Sequence, residues 1–172
     1  INFSLGVSQT DMDAENFDEM NTLHELIITM YNDTFNWGVR PLVVVAAGNN
    51  DSEEAFYPAC FDEVLAVGAT DVYDKRGRWF GGASTLHSTI DIVAPGCHNQ
   101  GTALDDQIGI YTTFPMDNNF SMPYNSIFDQ ASGTSLAAPH VSGVAALVLA
   151  QYPTLTPEQL RGRLLGTSDY IY

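Results

Sequence analysis

The run Pro41-Leu-Val-Val-Val-Ala-Ala-Gly-Asn49 limits the fold more than any other stretch of the chain. It is continuously apolar, rich in β-branched residues and bounded by proline and glycine, as expected of a strand buried on both faces of a parallel sheet. Parallel strands need crossover helices. One is predicted over residues 21–38, where Leu23, Leu26, Ile27, Met30 and Trp37 recur near helical spacing. Thr22 and Glu25 are spaced as a capping box, and Gly38 sits where a C-terminal glycine belongs. The alternating run Ile1-Asn-Phe-Ser-Leu-Gly6 reads as a strand before that helix, which completes a βαβ unit. Further short strands are predicted at 63–69, 89–96 and 109–114, so the order of elements indicates an α/β sheet.

The stretch from Ser135 to Gln151 is apolar nearly all round, with Ala137, Ala138, Ser142, Gly143, Ala145 and Ala146 as small residues. Such a helix packs tightly through the middle of a domain. A last helix starts at Thr156-Pro-Glu-Gln159, with a capping hydroxyl, a proline at the first helical position and Gln159 closing the box, and ends near Gly166. The predicted architecture has three layers, with a mostly parallel sheet and a buried central helix. The 172 residues fit a single domain.

Charge narrows the partners. With 21 acidic and 6 basic residues, net −15, the chain is a poor binder of nucleic acid or of an anionic membrane. Its most apolar stretch, 141–150, falls short of the ~20 residues of a membrane span, and no targeting signal is visible. Five acids between Asp11 and Glu19 read as a solvated loop before a helix rather than as a cation site. Cys60 and Cys97 lack the spacing of a zinc or redox motif and are either one bridge or two buried thiols.

Chemistry concentrates at Gly133-Thr-Ser-Leu-Ala-Ala-Pro-His-Val-Ser-Gly143. Ser135 stands at the first turn of the central helix, where unpaired backbone N–H groups and the positive helix end stabilise an oxyanion formed beside it. A Gly-Thr-Ser taken alone is more simply a helix cap. His140 lies five residues on, about 7.5 Å of rise along the same helix, and is expected to be a packed core histidine rather than a general base.

Several segments in order change that balance. The Ser135 segment resembles the nucleophile segment of the subtilisin-like serine peptidases, with Leu136 where methionine is usual. Residues 43–49 resemble that family's oxyanion segment, 57–71 its following turn and strand, 91–96 a later strand and 1–6 its substrate-binding strand. The resemblance implies that Ser135 is the nucleophile and that the Asn49 side-chain amide joins the Ser135 N–H in the oxyanion hole. It implies that Ser4, Leu5 and Gly6 pair with the substrate backbone, and that Ala46, Ala47 and Gly48 wall the pocket for the side chain before the scissile bond. Phe56 aligns with that pocket's floor, where many relatives have glycine, which implies a preference for smaller or aliphatic residues.

The family's catalytic Asp, in Asp-Ser/Thr-Gly, and His, in His-Gly-Thr-His, precede the substrate strand, and neither motif occurs here. The resemblance therefore implies that residues 1–172 are the C-terminal portion of one peptidase domain, incomplete at the N-terminus, whose missing part supplies both groups. By itself this portion is expected to be inactive. The implied partner is a protein or peptide substrate, and the implied location is extracellular. The chemistry requires no cofactor; Asp91, with carbonyls near Asp62 and Val64, is either a structural calcium ligand or a turn cap. A non-catalytic, peptide-binding relative is the alternative, disfavoured because Ser135 and Asn49 are both of the catalytic type. An α/β-hydrolase fails for want of the Gly-x-Ser-x-Gly elbow.

Overall fold

A computed structural model describes residues 1–32, 40–79, 81–97, 109–113 and 128–170. The elements are β1 (Asn2–Phe3), β2 (Val7–Ser8), α1 (Ala14–Tyr31), β3 (Val43–Ala46), β4 (Phe56–Tyr57), β5 (Val64–Thr70), β6 (Arg78–Trp79), β7 (Gly82–Ala83), β8 (Ile92–Pro95), β9 (Ile110–Thr113), β10 (Phe128–Ala131), α2 (Thr134–Gln151) and α3 (Pro157–Thr167). Four of the strands form a parallel sheet in the order β1-β3-β5-β8.

The unbroken apolar runs have the expected cause. β3 and β5 are buried along their whole length, and alternate side chains go to opposite faces. Val44, Ala46, Leu65 and Val67 pack with α2 and α3, whereas Val43, Val45, Val64 and Ala66 pack with Ile27 and Met30 of α1. The sheet is thus the middle of three layers. Ala137, Ala138, Val141 and Ala145 form the contact face of α2, and their small size lets its backbone come close to the strands.

The other face of α2 departs from expectation. Val144 is 51% and Leu147 73% exposed, so within this chain the helix is buried on one side only. By length and composition α2 would also pass as a membrane span, but its buried face is part of the sheet's core. His140 shares the outward face, at helical spacing from Val144 and Leu147, and is exposed with Nδ1 2.7 Å from the Leu136 carbonyl oxygen. It is not the packed core histidine that the sequence suggested.

Helix α1 starts at Ala14, well before the predicted residue 21. Glu15, Asp18 and Glu19 fall within it, so much of the acidic stretch expected as a loop is helical. Thr22 lies inside the helix and donates to the Asp18 carbonyl at 2.9 Å instead of capping. Trp37 and Gly38 fall outside the described residues. At α3 the capping box forms as read, with Gln159 N–H donating to Thr156 Oγ1 at 3.3 Å and Thr156 N–H to Gln159 Oε1 at 2.9 Å.

The strand predicted at 109–114 is present as β9, but it pairs antiparallel with β10 outside the main sheet. Its partner, Phe128-Asp-Gln-Ala131, has no β-branched residue to announce it. The two cysteines are free. Cys97 is buried with Sγ 3.8 Å from the Thr70 carbonyl oxygen, while Cys60 is half-buried. The bridge alternative is therefore not realised. Burial pushes both thiols up from their ordinary range, which leaves little reactive thiolate at neutral pH.

Candidate active site

The strand end after β3 and the start of α2 meet through glycines. Gly133 has φ 146°, a backbone state that side-chain-bearing residues rarely adopt. Its N–H donates to the Gly96 carbonyl at 2.8 Å. A methyl group on Gly96 would lie 2.8 Å from the Gly133 oxygen, and one on Gly133 would lie 3.3 Å from Asn49 Nδ2. These approaches bring α2 to the C-terminal edge of the sheet.

Thr134, fully buried, ties the two segments together. Its N–H and its hydroxyl both donate to Asn49 Oδ1, at 2.9 and 3.0 Å, and its Oγ1 accepts from Gly48 N–H at 3.1 Å. Two donors on one atom make that atom the carboxamide oxygen. Asn49 Nδ2 is therefore the other end of a fixed amide, next to the helix start. No side chain caps α2, so the simple capping reading of Thr134 and Ser135 does not hold.

Ser135 follows, half-buried, with its N–H among the first-turn donors that lack an intrahelical acceptor. Its Oγ donates to the Ser4 carbonyl at 3.4 Å, and Ser4 Oγ donates to the Ser135 carbonyl at 2.9 Å. Asn2 Nδ2 donates to Ser4 Oγ at 3.0 Å, and its Oδ1 accepts from Ser142 Oγ at 3.1 Å. The chain leaving β1 is thus fastened to α2 across Ser135. Among the described residues no hydrogen bond joins a histidine to Ser135.

The other expected site residues are placed as follows. Ser4, Leu5 and Gly6 form an exposed link between β1 and β2, with Leu5 54% exposed. Ala46 packs in the core beneath α2, and Ala47 is buried with its N–H on the Val67 carbonyl at 2.9 Å. Of the three residues expected to wall a pocket, Ala46 is therefore core, and Gly48 fronts the space near Phe56. Sequence reasoning missed Thr134, whose signal was a β-branched hydroxyl residue between Gly133 and Ser135.

Asp91 does not fit calcium. Its Oδ2 accepts from Ala66 N–H at 2.9 Å, and its Oδ1 receives Arg161 Nη2 at 2.6 Å. Arg161 Nη1 donates to the carbonyls of Val64 at 2.8 Å and Asp62 at 3.3 Å. A guanidinium from α3 thus stands among the very oxygens expected to hold the ion, its planar fork suited to them. No cluster of three or more His, Cys, Asp or Glu side chains suited to a metal occurs among the described residues. Arg161→Ala is expected to destabilise the complete protein by about 2–4 kcal/mol in denaturant titration, because it strands a mostly buried carboxylate and two carbonyls. A loss below about 0.5 kcal/mol would reduce the contact to an ordinary surface pair.

The fold and site together define a three-layer α/β protein with a serine at a helix start beside a fixed carboxamide. The chain belongs to the subtilase family, Peptidase_S8, which matches residues 1–170. Subtilisin DY of Bacillus licheniformis is 37% identical over 134 residues, covering 76% of this chain and 40% of that protein. Subtilisin E of Bacillus subtilis is 34% identical over 134 residues, covering 76% and 29%. A solved protease from Pseudoalteromonas arctica PAMC 21717 has a TM-score of 0.67 and 29% identity, over 99% of this chain and 44% of that one. The chain thus spans less than half the length of each of these relatives.

Proposed function

We propose that this chain carries the nucleophile and oxyanion half of a serine endopeptidase site. The observation that carries the reading is the Thr134–Asn49 lock, which aims a side-chain amide at the helix start where Ser135 stands. In the reaction Ser135 Oγ attacks the scissile carbonyl carbon and its proton passes to a histidine. The carbonyl oxygen, now negative, lies between Asn49 Nδ2 and Ser135 N–H, preorganised donors that need not move as charge develops. Collapse expels the amine, which leaves with that proton, and water then hydrolyses the Ser135 ester. Ser4 to Gly6, exposed beside Ser135, is the segment along which a substrate backbone would pair.

The histidine and its aspartate are proposed to come from a segment preceding Ile1. Support lies in the apolar surface left open on that side. The outward face of α2 exposes Val144 and Leu147, and a groove of about 410 Å³ runs between Ile1, Leu42, Val44, Ala145, Leu149 and Leu155. Surface of this kind marks an unmet contact. The subtilisin relatives suggest export for the complete protease. The test is to treat that complete protease with a fluorophosphonate and map the adduct by peptide mass. An adduct at Ser135 is expected, and one at any other residue, or none, overturns the assignment.

A further inference from the structure

We propose that Asn2 and Ser142 are positioning residues, members of a hydrogen-bonded relay that holds the substrate-pairing segment against the nucleophile. The inference rests on the peptidase reading above. It begins with the proline inside α2. In a regular helix the Ser135 carbonyl would accept from the N–H of residue 139, and Pro139 has none. Ser4 Oγ brings a donor to that carbonyl from outside the helix, at 2.9 Å. Pairing of β1 with β3 ends at Phe3, so Ser4 lies just beyond the sheet and is tied to α2 by this bond and by the long one from Ser135 Oγ.

The direction of the relay follows from counting protons. Ser4 Oγ has one proton and a carbonyl can only accept, so that proton goes to Ser135 and the hydroxyl oxygen accepts from its other neighbour. That neighbour is Asn2, which therefore presents Nδ2 at 3.0 Å. Asn2 Oδ1 then faces Ser142 Oγ at 3.1 Å, and Ser142 donates. Ser142 stands about two turns beyond Ser135 on the same side of α2, and Asn2 is fixed in β1 by its register with Val44. The relay thus runs from Ser142 through Asn2 and Ser4 to the Ser135 carbonyl, between two rigid elements and with each donor matched to an acceptor. Among the described residues neither Asn2 nor Ser142 bonds Ser135 Oγ or Asn49. Their part is to set Ser4, and with it a paired substrate backbone, in register with Ser135 Oγ, because a reacting carbonyl misplaced by about 1 Å can lose about 10²-fold in rate.

The test compares the complete protease with its Asn2→Ala, Ser142→Ala and double variants, on a tetrapeptide anilide and with a fluorophosphonate. The anilide pairs along Ser4 to Gly6. The fluorophosphonate has no peptide backbone to pair, so it reports only the nucleophile and the groups that activate it. Asn2→Ala is expected to lower kcat on the anilide at least about tenfold while the rate of Ser135 labelling stays within about threefold of wild type. Ser142→Ala should lower kcat about threefold, and because the two residues act in series the double variant should match Asn2→Ala. Unchanged anilide kinetics in Asn2→Ala overturn the proposal. So does a parallel loss of hydrolysis and labelling, which marks general loosening, and so do losses that multiply in the double variant. Should Asn2→Ala fail to fold, Ser142→Ala, which gives up one hydrogen bond, carries the same comparison, and unchanged anilide kinetics there overturn the relay. A wild type that does not label at Ser135 overturns the peptidase reading instead, and this inference with it.

Discussion

Ser135→Ala is expected to abolish fluorophosphonate labelling of the complete protease and to lower kcat about a millionfold, the magnitude borrowed from loss of the nucleophile in a subtilisin. The fold should survive. Among the described residues Ser135 Oγ makes only a long hydrogen bond, to the Ser4 carbonyl, while the shorter Ser4 bond goes to the Ser135 backbone, which alanine keeps. Thermal midpoints of variant and wild type should therefore agree closely. Neighbouring hydroxyls are committed elsewhere: Thr134 Oγ1 is buried between Asn49 and Gly48, and Ser4 Oγ is held between Asn2 and the Ser135 carbonyl. Labelling that persisted in the variant, with the adduct on Ser4, would move the nucleophile to the strand.

The parts of this protein legible in its sequence are those in which local pattern and tertiary environment agree. β3 and β5 are β-branched because both of their faces are covered, and α3 begins where its capping box says. α1 was misjudged because a run of acids looks like solvated loop, although acidic residues are also ordinary helix formers on an exposed face. α2 shows the limit of hydrophobic pattern: Val144 and Leu147 call for cover, but apolarity cannot say whether these residues supply it, and His140 rides on the same open face. Asp91 was read as either a calcium ligand or a turn cap, and its carboxylate instead faces a cation of the chain itself. That the cation is Arg161, 70 residues along the chain, is a long-range contact that spacing does not reveal. The placement of Ala46 depended on strand parity, which sent its methyl group to α2.

Asn49→Ala is expected to lower kcat about 10²–10³-fold while KM stays within about threefold, a magnitude borrowed from the same donor in a subtilisin. The reasoning begins with charge. The ground-state carbonyl is a weak acceptor, so an amide aimed at the oxygen's later position contributes mainly once that oxygen is negative. Alanine also removes the acceptor of two Thr134 donors, one of them from a buried hydroxyl, and should cost about 1–3 kcal/mol of stability. Asn49→Asp separates these effects. It keeps an oxygen for both Thr134 donors yet replaces Nδ2 with a second, negatively charged acceptor, so stability should largely return while kcat falls at least as far as in the alanine variant. Steady-state kinetics beside denaturation of the three proteins checks this. If Asn49→Asp retained wild-type kcat, Nδ2 would not be the donor. If either variant raised KM and spared kcat, Asn49 would be a contact to the ground-state substrate, and the lock by Thr134 would serve binding rather than the oxyanion.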